Sequence, residues 1–341
     1  MEIIIGLLII AVGAFCQSSC YVPINKIKNW SWESYWIVQG VFAWLVFPFL
    51  GALLAVPDGH SLFEIYAAHP ADTLWAMFFG VLWGVGGLTF GLSMRYLGVA
   101  LGQSISLGTC AGLGTILTPI FTGHMEELTM PVIVGVIVTL LGIGIIGYAG
   151  NMKSASLSEE EKKKAVKDFN FTKGIFVALL AGFMSACFMS ACFSIGLGFG
   201  QSLCFPESAE VYKTLPATLM VTAGGFLTNM VYCFYQNAKN KTWGDYGKTS
   251  LYVNNILFCA LAGVLWYSQF FGLSLGKGFL IASPVLLTFS WCILMSLNVT
   301  FSNVWGIILK EWKGCSAKTI WVLVLGLIVL IVSSFLPQLL K

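Results

Sequence analysis

Apolar runs of about 20 residues, long enough to cross a hydrocarbon layer ~30 Å thick as a helix, recur from one end of this chain to the other. Nothing else in the sequence narrows its fold so far. Ten such runs are drawn here, over 2–22, 35–56, 72–94, 97–121, 130–149, 174–198, 213–236, 251–273, 280–308 and 317–336. Inside lipid every backbone N–H and C=O needs a partner within the chain, so a spanning segment is a helix or a strand of a closed barrel. Barrel strands alternate apolar and polar residues, and these runs do not. The expectation is an all-α polytopic membrane protein with ten transmembrane helices. Composition closes off the soluble alternative: of 341 residues, 57% are of the AVILMFWYC type and only 10% are charged, too few to cover a water-facing surface. A net charge of +3, with the basic residues confined to short loops, argues against a nucleic-acid partner.

The first run is N-terminal and apolar, as a secretory signal is, but it carries Glu2 where a signal carries basic residues, and Lys26 and Lys28 follow it. It reads as a retained helix with its N-terminus outside. Loops rich in Lys and Arg resist translocation. With that start, 15 of the 18 basic residues fall in loops assigned to the cytoplasm, leaving Lys213, Lys277 and Lys341 outside, while acidic residues divide 7 inside to 8 outside. Both termini are therefore expected to face outward. Most of the ten cysteines lie within or beside apolar runs, where a thiol acts as a small hydrophobe. No Cys-x-x-Cys pair points to a metal, and no cofactor is expected.

The longest polar segment, 151–172, contains Glu159 to Glu161 followed by Lys162 to Lys164 and reads as a charged cytoplasmic linker. It separates a first half, 1–150, from a second, 173–341, with five runs in each. A half with an odd number of spans is followed by a half inserted the other way up, so the fold expected is two inverted five-helix repeats. Gly80-Val81-Leu82-Trp83 and Phe90-Gly91-Leu92-Ser93 are echoed by Gly263-Val264-Leu265-Trp266 and Phe271-Gly272-Leu273-Ser274, which fits such a repeat. In secondary transporters of this build the substrate site lies where the repeats meet, near the bilayer midplane.

Amides and hydroxyls inside hydrocarbon are tolerated when paired or turned toward a wet cavity. Gln17, Ser18, Gln103, Ser106, Thr109, Asn229, Gln269 and Asn298 are in that position. A hydroxyl can bond back to its own helix and act as a small packing residue, whereas an amide has donors and an acceptor to place. Trp83, Trp266 with Tyr267, and Trp291 sit deeper than an interfacial belt. Core packing is the ordinary role of such rings. The alternative is a sugar platform, in which the C–H face of a pyranose stacks on indole while amides take its hydroxyls. With no carboxylate in mid-span to pair with a cation, a neutral polyol is the expected ligand. Glu33 and Asp72 lie in the first turns of helices, where a carboxylate is favoured by about 0.3–1 kcal/mol even without a function. Both qualify as proton carriers. His60, His69 and His124 fall in external loops.

Cys20-Tyr21-Val22-Pro23, Lys26-x-Lys28, Asn29-Trp30-Ser31-Trp32-Glu33, Trp83-Gly84-Val85-Gly86, Gly91-Leu92-Ser93-Met94-Arg95-Tyr96-Leu97-Gly98, Trp266-Tyr267-x-Gln269-Phe270-Phe271 and Leu309-Lys310-Glu311-Trp312 together resemble the bacterial L-rhamnose/proton symporter family of the drug/metabolite transporter superfamily. The similarity runs over essentially the whole chain. It implies an inner-membrane carrier that brings L-rhamnose inward with protons by alternating access. Taken with the residue reading, the expected substrate-binding set is Gln17, Trp83, Gln103, Trp266, Tyr267, Gln269 and Asn298, with Glu33 or Asp72 for proton coupling. The rival readings are an exporter of small metabolites or drugs on the same scaffold and, further off, a membrane-embedded enzyme. Against the enzyme, there is no His-Glu-x-x-His, no nucleophile elbow and no acidic pair within a span.

Overall fold

The computed structural model describes residues 2–97, 99–156, 170–193, 202–309 and 312–340, and all regular structure among them is helical. The apolar runs become α1 (Glu2–Ser19), α2, α3 (Pro70–Leu97), α4 (Val99–Thr122), α5 (Met130–Ala155), α6 (Phe171–Phe193), α7 (Leu215–Asn240), α8 (Tyr252–Leu280), α9 (Pro284–Ile308) and α10 (Ala317–Leu339). Helix α2 is one span in three parts, Trp32–Gly40, a π-helical stretch Val41–Val46, and Phe47–Leu53. Among the described residues eight helices are long and apolar enough to cross a membrane, and in α4 and α6 the described apolar stretches are Ile105–Leu117 and Thr172–Ala186. The chain is a multi-pass helical membrane protein. Helix α5 runs on through Ala155, and its Lys153 rests over the Trp312 ring, 4.8 Å from its centroid. The Glu159 to Lys164 segment lies outside the described residues.

The helix faces are sorted for lipid. On α1 the exposed residues are Ile4, Leu8, Val12 and Phe15, and the buried ones are Gly6, Ile10, Gly13 and Ala14. Apart from Ile10, the residues turned inward are small, and large apolar side chains look outward. Hydrocarbon gives no hydrophobic reason to bury a leucine, so association depends on close backbone approach.

The chain divides into two compact units that do not follow the sequence halves, since each draws helices from both. The first comprises Met1–Val85 with Ala191–Phe279, which is α1, α2, the first part of α3, α7 and α8. Its crossings are made at glycines. A Cβ on Gly80 of α3 would stand 2.1 Å from the Val221 carbonyl of α7, and one on Gly224 2.1 Å from the Met77 carbonyl. Gly13 of α1 faces Ser268 and Gln269 of α8, Gly276 of α8 faces Ile10 and the Gly6 carbonyl of α1, and Gly263 faces Phe42 and the Gln39 carbonyl of α2. Gly224 lies against Gly80 and Thr228 against Gly84, so α3 runs parallel to α7, while the α1 contacts run antiparallel to α8.

The second unit comprises Gly86–Ser190 with Leu280–Lys341. Here α5 and α10 run antiparallel, with Gly142 closing on Leu330 and Gly326 on Ile146. A buried hydrogen bond of 2.9 Å between Thr139 and Ser333 joins the same pair of helices. On α9, Phe289 is fully buried and lies against Gly135 of α5.

The α3–α7 crossing predicts that Gly80→Leu, which forces those backbones apart, destabilises the protein by about 1–3 kcal/mol or more. Gly91→Ala, whose added Cβ meets nothing within 4 Å, serves as the neutral control, and thermal unfolding in detergent reads the difference.

Candidate functional site

The site begins with a proline. Pro48 has no N–H to give the carbonyl four residues back, so the α-helical ladder of α2 cannot continue through Trp44. The helix widens instead, and the Phe47 amide bonds to the Phe42 carbonyl, an i→i+5 bond. Such π segments recur at functional sites. The widened turn carries Trp44, whose ring lies over Gly40, where a Cβ would sit 2.6 Å from the indole.

Around Trp44 the first unit gathers an indole cluster. The Trp44 ring centroid is 5.6 Å from that of Trp266 and 6.5 Å from that of Trp83, nearly perpendicular to both at 87° and 86°. Trp83 and Trp266 are themselves 5.7 Å apart. Phe270 packs on Trp266 at 5.1 Å, and Trp36 meets Trp44 at 5.8 Å. Gly225 of α7 leaves the room that the Trp83 ring fills. The two tryptophans expected as stacking surfaces are therefore brought together, and Trp44 and Trp36, which the sequence reading passed over, join them.

The polar atoms beside this cluster fall into two groups. Trp36 Nε1 donates to Asn229 Oδ1 at 3.0 Å and Asn229 Nδ2 donates to the Gly225 carbonyl at 2.8 Å, so this amide is spent on packing. By contrast Gln17 Oε1, Gln39 Oε1, Trp44 Nε1 and the Tyr267 hydroxyl are buried with no hydrogen-bond partner. Each such orphan costs about 1–3 kcal/mol. Gln39, Trp44 and Tyr267 are only 1%, 3% and 4% exposed. Gln269 is buried on α8, and the register of α1 against α8 carries Gln17 to the level of Leu265 and Trp266. Tyr267 turns its hydroxyl toward Gly51 of α2.

The remaining expected ligands lie in the second unit. Asn298 is buried on α9, and the side chain of Gln103 on α4 lies outside the described residues. Trp291 Nε1 donates to the Cys110 carbonyl at 3.2 Å, a core contact. Ser106 pairs with Ser93 at 3.2 Å.

Of the two carboxylates, Glu33 is 5% exposed and its Oε1 accepts from Asn240 Nδ2 at 3.0 Å and Thr242 Oγ1 at 2.8 Å. Asp72 is half-buried, accepts from the Ser202 hydroxyl at 2.6 Å and stands 3.9 Å from His69. Glu33 belongs to a clasp that ties the start of α2 to the loop after α7. Asp245 in that loop accepts from the Ser31 amide at 2.7 Å, the Ser31 hydroxyl at 2.6 Å and the Ser34 hydroxyl at 3.0 Å, and it pairs with Lys248. Asn255 bonds both the amide and the carbonyl of Lys28, at 3.0 and 2.9 Å. Burial pushes the Asp245 carboxyl up, but the bonds from Lys248, Ser31 and Ser34 outweigh it and hold the group at about 2.

Membrane-length helices that turn indoles and amides inward and apolar faces outward are the build of a multi-pass membrane transporter. The sequence profile described as L-rhamnose-proton symport protein (RhaT) matches residues 1–339, and the chain belongs to that family, one of transporters and not of enzymes. It is 33% identical to the L-rhamnose-proton symporter of Yersinia pestis, over 97% of this chain and 96% of that one. Identity to the L-rhamnose-proton symporter of Citrobacter koseri is also 33%, over 95% of this chain and 94% of that one.

The clasp makes a pH prediction. Asp245 is held at about 2 in the folded protein, against ~3.9 for a free aspartate. The stability it contributes is fully present above pH ~4 and is lost as pH falls from there through about 2. Asp245→Asn should lower stability at pH 7 by about 1.5–3 kcal/mol, the worth of hydrogen bonds to a charged group. It should also flatten the fall between pH 5 and 2.5, as read by unfolding midpoints across that range.

Proposed function

We propose that the protein is a secondary active transporter carrying L-rhamnose, or a close 6-deoxy-sugar relative, inward with protons across the bacterial inner membrane by alternating access. The observation that carries the reading is the family match over nearly the whole chain, joined to a buried indole cluster with unpaired hydrogen-bonding atoms beside it. A 6-deoxy-hexose is neutral and has both an apolar C–H face and hydroxyls. In the first unit Trp83, Trp266 and Tyr267 supply surfaces for the face, and Gln17 and Gln269 supply partners for the hydroxyls.

The architecture we propose is ten transmembrane helices as two inverted five-helix repeats, 1–150 and 173–341, joined by the charged linker, with both termini outside. Two sets of contacts support it. In the second unit Gly142 meets Leu330 and Gly326 meets Ile146. Residue 326 follows 142 by 184 positions and 330 follows 146 by 184, so one contact is made twice with the partners exchanged, the mark of a two-fold relation. In the first unit Gly80 closes on α7 at Val221 as Gly263, 183 positions later, closes on α2 at Phe42. The orientation rests on the 15 of 18 basic residues in the loops assigned to the cytoplasm.

For coupling, Glu33 is the better of the two carboxylates. Among the described residues it is the one acidic group that is buried within a span, while Asp72 is half-buried. Protonation removes a charge that is costly to move through a low-dielectric region, so the loaded carrier reorients with no uncompensated buried charge.

Vesicles containing the protein should accumulate labelled L-rhamnose when an inward proton gradient is imposed, and absence of uptake would falsify the reading. Glu33→Gln should keep sugar counterflow while abolishing accumulation. Full accumulation by that variant at neutral pH removes Glu33 from the mechanism.

A further inference from the structure

The unpaired atoms of α2 extend the proposed sugar site, and what they imply rests on that reading. Two other tryptophans in the spans pair a buried indole N–H: Trp36 donates to Asn229 Oδ1 and Trp291 to the Cys110 carbonyl. Trp44 does not follow them. Its Nε1 has no partner although the residue is 3% exposed, and five residues earlier Gln39, 1% exposed, has an unpaired carbonyl oxygen. One atom is an unused donor and the other an unused acceptor. A sugar hydroxyl is both at once.

The backbone explains why these two residues act together. In an unbroken α-helix, positions five apart point about 140° from each other. The π turn holds more residues per revolution, so it swings Trp44 back toward the side of Gln39. Gly40 between them has no side chain to block the indole. Trp83 and Trp266 beside Trp44 are less deeply buried than it is, so ring surface is left uncovered where Trp44 has almost none.

We infer that the π turn of α2 is a sugar-reading element: Trp44 Nε1 donates to one pyranose hydroxyl, Gln39 Oε1 accepts from another, and the ring of the sugar lies on the indole cluster. The ligand class is a neutral pyranose, and the two residues set which hydroxyls are recognised.

The test measures binding of L-rhamnose and of its monodeoxy analogues to the full-length carrier, in wild-type form and as Trp44→Phe and Gln39→Leu. Trp44→Phe keeps an aromatic ring and removes only the indole portion with its N–H. Each variant should bind L-rhamnose about two- to twelvefold more weakly, the worth of one neutral hydrogen bond. For each there should also be one analogue whose affinity the substitution leaves unchanged, because residue and hydroxyl form a single contact. Wild-type affinity in either folded variant overturns the inference, as does a loss equal for L-rhamnose and every analogue, which marks a packing effect. Should Trp44→Phe fail to fold, Gln39→Leu decides by itself. If the wild-type protein binds no L-rhamnose, the proposed function falls along with the inference. If it binds and both variants match it, the inference alone falls.

Discussion

Closeness of backbones is what holds this protein together. Lipid competes for leucines on equal terms, so apolar side chains give no net reason for one helix to leave the bilayer for another. What remains is dispersion between surfaces that fit and a few hydrogen bonds that lipid cannot supply. The glycines at positions 13, 80, 224, 263, 142 and 326 each sit where a single carbon would collide with a neighbouring helix. The indole cluster depends on two further glycines, since Gly40 and Gly225 provide the spaces that Trp44 and Trp83 occupy.

Against that apolar background, polar groups have two fates. At one end of the first unit they are saturated: Glu33, Asn237, Asp245 and Asn255 bond to one another's neighbourhoods through loops that are distant in sequence. Further along the same helices, Gln39, Trp44 and Tyr267 are buried and unsaturated. The first arrangement fixes α2 against α7. The second leaves unsatisfied bonding capacity in the interior, which is what a carrier needs if a polar solute is to replace its hydration shell there.

That the chain is built of membrane-length helices could be read from the sequence because the signal is local: length and apolarity are properties of each run on its own. Trp83 and Trp266 were also legible, as rings too deep for an interfacial belt. Gln39 and Trp44 carried the same signals, an amide and an indole inside the run 35–56, and attention to Pro48 would have marked the turn between them. The clasp was less accessible. It joins Ser31 and Glu33 to residues more than 200 positions away, and no local pattern announces a partner at that distance. Packing units were likewise hidden, because the chain is cut by contacts that run across its two halves. Asn229 shows the opposite failure: its sequence context matches that of the other intramembrane amides, yet the fold uses it to hold Trp36.

The widened turn in α2 lodges about one residue more than an α-helix would hold over the same rise. Segments on either side of it thus meet their neighbours with phases offset by roughly 100° from an unbroken helix. The N-terminal segment is indexed to the clasp through Ser34, and the C-terminal one to Leu62 and Leu219 through Ala52. Removing a single residue from Val41–Val46 would close the surplus into a regular helix and leave both ends in phase with their partners, so that only the placing of Trp44 relative to Gln39 would be lost.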